Sequence, residues 1–418
     1  MTLFDNKNTY LNAVAKDASL VNPVSDTTHR RARAYRLARV REELARDDCA
    51  AVLLYDPVNI RYATDASNMQ VWTAHNAARY ALVFADGPVI LWEFHNCAHL
   101  CAHLETIDEV RSAINWAYFG AGPRVAEKAR EWAAEIASLL QEYGGGNRRL
   151  AVDRMEPEGV HCLAALGVTL RQGQPLLEQA RSVKSSEELE LIRWTMTVCD
   201  HAIERMRHEL RPGMTEQQLW AHLHYENIRH GGEWIETRLL ASGPRTNPWM
   251  QECSSRIMQE GEIVAFDTDM IGPYGYCADV SRAWIVGHGA PSAEQRRLYG
   301  IAHEQVHYNM ALLRVGMTFR EFSARAWAIP EAFYANRYCC VAHGIGMADE
   351  YPAIAHAGDD WIRAGYDGVF EAGMTVCLES YIGAVSGREG IKLEQPVLLT
   401  EAGCVPLTNA PWEEEWLC

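Results

Sequence analysis

Acidic side chains set inside apolar, strand-like runs constrain this chain more than any other feature. Asp267 and Asp269 close the run Ile263-Val-Ala-Phe266, and Asp279 sits in Tyr276-Cys-Ala-Asp-Val280. Glu379 ends Met374-Thr-Val-Cys-Leu378, Glu394 lies within Ile391-Lys-Leu-Glu-Gln-Pro-Val-Leu-Leu399, and His343 follows Tyr338-Cys-Cys-Val-Ala342. A carboxylate in such surroundings costs several kcal/mol unless a cation or a hydrogen-bond donor compensates it. The fold must therefore gather these groups around positive charge. Five carboxylates with one imidazole point to two divalent ions, and an oxygen-rich donor set suits iron(II), manganese, cobalt or zinc better than it suits a thiolate site.

Local pattern supports the gathering. Side chains alternate across a strand, so Asp267 and Asp269, two positions apart, are expected on one face. Gly272-Pro-Tyr-Gly275 is a turn, after which Tyr276–Val286 reads as a returning strand that brings Asp279 alongside. A single β-hairpin with three carboxylates on its rim is the expectation.

The order Asp, Asp, His, Glu, Glu, with Gly275-Tyr-Cys-Ala-Asp-Val-Ser-Arg282 and His343-Gly-Ile-Gly346, resembles the pita-bread metallopeptidases: methionine aminopeptidase, prolidase, aminopeptidase P and creatinase. By that resemblance Asp279, His343, Glu379 and Glu394 match ligands of a dinuclear metal centre. The usual gap to the first aspartate falls between Asp267 and Asp269, so both are candidate ligands. The peptidases continue into His-Glu-x-Pro, whose histidine contacts the substrate. Here the segment is one residue shorter and reads Met347-Ala-Asp349-Glu-Tyr-Pro352. A carboxylate in place of that imidazole would repel an oxyanion, which disfavours peptide hydrolysis and supplies a base.

Together with Glu226–Trp249 and Asn59–Gln70, that departure resembles the dimethylsulfoniopropionate lyases of marine bacteria that share the pita-bread fold. The resemblance implies β-elimination to dimethyl sulfide and acrylate on a dinuclear centre, usually iron, in a homodimer. Asp349 would remove the proton next to the substrate carboxylate, with the metal pair acting as Lewis acid. Five ligand carboxylates against two dications leave the site near minus one, a field that tolerates a sulfonium. Its acidic neighbours are expected to raise the Asp349 pKa. A sulfonium also favours aromatic faces. Tyr338 and Trp72 are the preferred substrate-binding candidates, ahead of Tyr351, Trp234 and Trp249. The alternatives are a Xaa-Pro peptidase of prolidase type with the same metal site, and a binding module that has outlived its chemistry. Retention of the whole ligand set argues against the second.

A formal net charge of −16 over 418 residues argues against a nucleic-acid partner. The basic run Arg30, Arg31, Arg33, Arg36, Arg39, Arg41 is interleaved with helix formers and reads as a solvated helix face or a subunit contact. The 12 cysteines are scattered without a C-x-x-C pair, which suits a reducing compartment. No signal-peptide pattern opens the chain and no stretch approaches a membrane span, so a cytoplasmic location is expected.

Residues 1–28 read as a polar arm and 29–183 as a creatinase-like α/β domain, with 184–418 as the α+β pita-bread catalytic domain. In the α/β part, Asp86-Gly87 between Tyr80–Ala85 and Pro88–Glu93 is a hairpin signal, and Arg124–Tyr143 is a helix stopped by Gly144-Gly-Gly146. Three capping boxes, Ser185–Glu188, Thr215–Gln218 and Ser292–Gln295, open the long helices of the catalytic part.

Overall fold

The computed structural model describes residues 20–417, so the expected N-terminal arm falls largely outside the described residues. The chain divides into two compact units, Asp26–Arg181 and Ser182–Cys418, and the described residues before Asp26 belong to the second.

The first unit is built on a six-stranded mixed sheet. Its strands are β1 (Ala51–Leu54), β2 (Tyr80–Phe84), β3 (Val89–Glu93), β4 (Glu109–Ser112), β5 (Arg149–Val152) and β6 (Thr169–Gln172), in the order β4-β3-β2-β1-β5-β6. β2 and β3 form the expected hairpin over Asp86-Gly87. Helix α1 (Asp26–Arg46) opens the unit, and α2 (Val125–Tyr143) buries Trp132, Ile136 and Leu140 in one core with Leu53, Leu82 and Trp92.

The arginine run on α1 is only in part a solvated face, with Arg30 and Arg31 exposed. Arg36 is fully buried and Arg33 nearly so, and both reach Asp65, at 3.1 and 3.3 Å. His29 Nε2 stands 3.1 Å from the same carboxylate, and Arg33 also pairs with Glu105 at 2.7 Å. Composition could not separate the two outcomes, because the deciding partners lie far along the chain. Burial acts to raise the Asp65 pKa, but His29, Arg36 and Arg61 outweigh it and hold the carboxyl well below its usual range. Asp65→Ala would strand buried guanidinium charge, so a loss of about 3–5 kcal/mol is expected in denaturant unfolding. The sign of the shift fixes the pH dependence. The contribution is fully present above the unfolded carboxyl pKa of about 4 and is lost as pH falls toward the lower folded value.

In the second unit, helices α3 (Ser186–Glu209), α4 (Glu216–Arg229) and α5 (Ala293–Leu312) each begin with the expected reciprocal capping box. The strands are β7 (Trp234–Ile235), β8 (Leu240–Ser242), β9 (Ile263–Asp267), β10 (Met270–Ile271), β11 (Cys277–Ala278), β12 (Ser281–Ile285), β13 (Ala342–Ile345), β14 (Asp349–Ile354), β15 (Thr375–Ile382), β16 (Ile391–Thr400) and β17 (Gly403–Pro406). They form sheets ordered β11-β10-β7, β12-β9-β8 and β14-β13-β15-β16-β17. α5 packs on β15 and β16, burying Tyr299 and Val306 in a core with Leu378, Leu393 and Val397. β9 and β12 also pack against β16.

The expected single hairpin is broken in the middle. β9 pairs with β12 and β10 with β11, in two different sheets. At the break Thr268 Oγ1 donates to Ala278 O at 2.8 Å and accepts from Val280 N at 2.9 Å, replacing ladder bonds. Asp269 takes a left-handed φ of 36°. Strand alternation therefore does not bring Asp267 and Asp269 together; a kink does. From the other side α3 anchors the turn: Thr195 Oγ1 donates to Pro273 O and Tyr276 Oη to Glu188, each at 2.8 Å.

Candidate metal centre

Three segments converge on one cluster. The broken hairpin supplies Asp267, Asp269 and Asp279, β13 supplies His343, and the long pair β15–β16 supplies Glu379 and Glu394, which stand directly opposite each other in register. All six are buried. His343 Nε2 faces Glu379 Oε1 at 3.3 Å and Asp279 Oδ2 and Glu394 Oε1 at 3.5 Å. Oxygens of Asp267, Asp269 and Asp279 form a second group within 4.8 Å of one another. The structure thus brings together every candidate ligand, and it places both Asp267 and Asp269 with Asp279.

A cationic partner absent from the sequence reading completes the cluster. Lys392, fully buried, contacts Asp267 Oδ2 at 3.1 Å, Glu379 Oε2 at 2.7 Å and Glu394 Oε2 at 3.0 Å. Ser281 Oγ donates to Asp267 Oδ1 at 2.6 Å, and the Thr237 hydroxyl donates to Asp269. A signal for Lys392 existed. It lies two residues before Glu394 on the same strand, so alternation puts it on the same face. Thr237 has no comparable signal, since its partner is more than thirty positions away.

The electrostatics show what the protein alone leaves unbalanced. Burial, and then Glu394 and its fellow acids, push the Asp279 pKa well up, and Glu379 is pushed to about 8 by burial and Glu394. Burial also works against ionised Glu394, but Lys392 and His343 hold it well below the usual range. Asp279 Oδ1 is buried with no hydrogen-bond partner among the described residues. Five carboxylates against one ammonium leave four negative charges, the amount two divalent cations carry. Counting Lys392 brings such a loaded site to neutrality, where the sequence reading had minus one; ionised Asp349 restores that charge. The orphaned oxygen and the charge count both fit divalent metal. Cys377 Sγ also lies among these donors, but burial and Glu394 keep the thiol protonated, so the site stays oxygen-rich.

Asp349 begins β14 at the rim of the cluster. Its Oδ1 is 3.9 Å from His343 Nδ1, and half of its side chain is open to solvent. Burial of the remainder raises its pKa, with His343 opposing and Glu394 adding to the rise. Tyr338 lies against the cluster, its ring centroid 4.5 Å from Lys392 Nζ. Burial and the carboxylates of Glu379, Asp267, Glu394 and Asp279 raise its phenol pKa. The other aromatic candidates pack elsewhere. Tyr351 stacks on Tyr366, and Trp249 on Tyr381 in the core. Trp234 is half-buried on β7. Trp72 belongs to the first unit, where its indole packs against Phe94 and Phe119.

Residues 190–401 match metallopeptidase family M24. The chain belongs to this family. Ahead of the M24 region, residues 36–183 match the creatinase/prolidase N-terminal domain. A dimethylsulfoniopropionate lyase DddP of Roseovarius nubinhibens is 43% identical over 388 residues, covering 92% of this chain and 87% of that protein. A protein of the same name from Roseobacter denitrificans is 40% identical, covering 91% and 86%. Among solved structures, a Xaa-Pro dipeptidase from Bacillus anthracis superposes with a TM-score of 0.72 at 21% identity, covering 91% of this chain and 98% of that one. Dipeptidase PepE of Mycobacterium ulcerans gives 0.71 at 23%, covering 93% and 98%. These likenesses establish the fold, a creatinase N-terminal domain followed by an M24 pita-bread domain. M24 membership implies divalent metal, and the donor set described above fits it. No helix of the described residues is long and apolar enough to cross a membrane.

Proposed function

We propose that the enzyme is a carbon–sulfur lyase that splits dimethylsulfoniopropionate into dimethyl sulfide and acrylate by β-elimination. The observation that carries this reading is Asp349, a solvent-open carboxylate beside His343, on a chain more than 40% identical over most of its length to a protein named as a lyase of that substrate. Asp349 takes a proton from the methylene next to the substrate carboxylate. The C–H electron pair becomes the new double bond, the C–S bond breaks, and its pair leaves on neutral dimethyl sulfide. Asp267, Asp269, Asp279, His343, Glu379 and Glu394 would hold divalent metal, which when bound would supply Lewis acidity toward the substrate carboxylate. Tyr338 offers a ring face to the sulfonium, which cannot donate a hydrogen bond. The half-open position of Asp349 lets it return its proton to solvent.

Iron as the metal, a homodimeric assembly and a cytoplasmic location belong to the same reading. The last is supported by thiols that form no disulfide among the described residues. The test is headspace detection of dimethyl sulfide, with acrylate in parallel, after adding dimethylsulfoniopropionate to purified enzyme. Equimolar products are expected. Hydrolysis of a Xaa-Pro dipeptide without release of dimethyl sulfide would instead establish the prolidase-type alternative.

A further inference from the structure

A second constellation of metal-seeking side chains lies outside the M24 centre. His201 projects from α3, Glu226 from α4, and His230 follows at the C-cap of α4, one helical turn beyond Glu226. Their donor atoms lie within 4.8 Å of one another. His230 Nε2 stands 3.2 Å and His201 Nε2 3.4 Å from the same oxygen, Glu226 Oε2. The two imidazoles approach edge to face, with ring planes at 89°.

The alternative to a metal is a charge-assisted hydrogen bond, and two observations speak against it. Glu226 is fully buried, yet neither of its oxygens accepts a hydrogen bond of acceptable geometry among the described residues, and His230 Nε2 is equally unsatisfied. The nearest guanidinium, Arg229, stays 3.7 Å from Oε1. The spacing is informative as well. Zinc–nitrogen and zinc–oxygen bonds of about 2.0–2.2 Å in a tetrahedron set ligand atoms roughly 3.4 Å apart. The His201 separation of 3.4 Å falls at that value and the His230 separation of 3.2 Å just short of it.

We propose that His201, Glu226 and His230 form a separate site for a zinc-class divalent ion, with water as the fourth ligand. Two histidines and one glutamate are a recognised zinc donor set. His201, with its side chain 26% exposed, gives the ion and the water a way in. Bound there, the ion ties α3 to α4. α3 anchors the turn between Asp269 and Asp279, and α4 packs on β7 and β8, so the clamp braces the back of the hairpin without contributing to its ligand set.

The test compares full-length wild type with His201→Ala and His230→Ala, each stripped with chelator, reloaded with zinc, desalted and analysed by mass spectrometry for bound metal. Each variant is expected to hold one equivalent less than wild type. Because a buried substitution can impair folding, the wild type is also treated with diethyl pyrocarbonate with and without zinc, and His201 modification is followed by peptide mapping. Zinc is expected to protect His201. Equal zinc content in wild type and a folded His201→Ala protein, or His201 modification unaffected by zinc, overturns the assignment.

Discussion

Asp349→Asn is expected to slow dimethyl sulfide release by about 10²–10⁴-fold while leaving metal content unchanged. The amide keeps the shape of the side chain but cannot accept the proton. Asp349 is 3.9 Å from His343, and half of its side chain is solvent-exposed, so the substitution removes little buried charge. Two measurements on the same preparation decide the matter. Near-normal turnover would show that the proton goes elsewhere. A drop in bound metal would show that Asp349 ligates and does not act as base.

Lys392→Met should have the largest effect on stability. Its ammonium faces three carboxylates at 2.7–3.1 Å with no access to water, so its removal leaves Asp267, Glu379 and Glu394 with uncompensated charge. A loss of about 3–5 kcal/mol is expected for the metal-free protein. Divalent metal should recover part of it, because cations then fill the vacated electrostatic role. The expected signature is a metal-induced rise in melting temperature that is larger in the variant than in the wild type. Identical unfolding of the two proteins in chelator would show that Lys392 is not needed to balance the cluster.

Much of the candidate site is legible in the sequence. Buried carboxylates announce themselves by their apolar flanks, and capping boxes mark helix starts through purely local hydrogen bonds; both kinds of signal lie within a few residues. The failures are of another kind. Thr268 breaks the hairpin by reaching Ala278 and Val280 across the turn, and alternation cannot anticipate a side chain that replaces ladder bonds. Arg33 and Arg36 looked solvated because Asp65 and Glu105 are remote in sequence. Lys392 was readable from its spacing to Glu394, but a lysine between apolar residues is easily taken for a strand-edge side chain. Tyr351 and Trp249 were separable from Tyr338 only once their stacking partners were known.

The tip of the β13–β14 hairpin has a consequence for how chemistry is specified on this scaffold. Gly346 lies so close to the Glu350 carboxylate that a methyl group there would collide with it, and Glu350 is buried in a pair with Lys184. Cys277 N–H holds the Gly346 carbonyl at 2.7 Å from the neighbouring strand β11. A short connection pinned at both shoulders presents the half-exposed Asp349, while the residues proposed to hold the ions lie on other segments. On the proposed reading, exchanging residues at this tip would change the base while leaving the residues proposed to hold the ions in place.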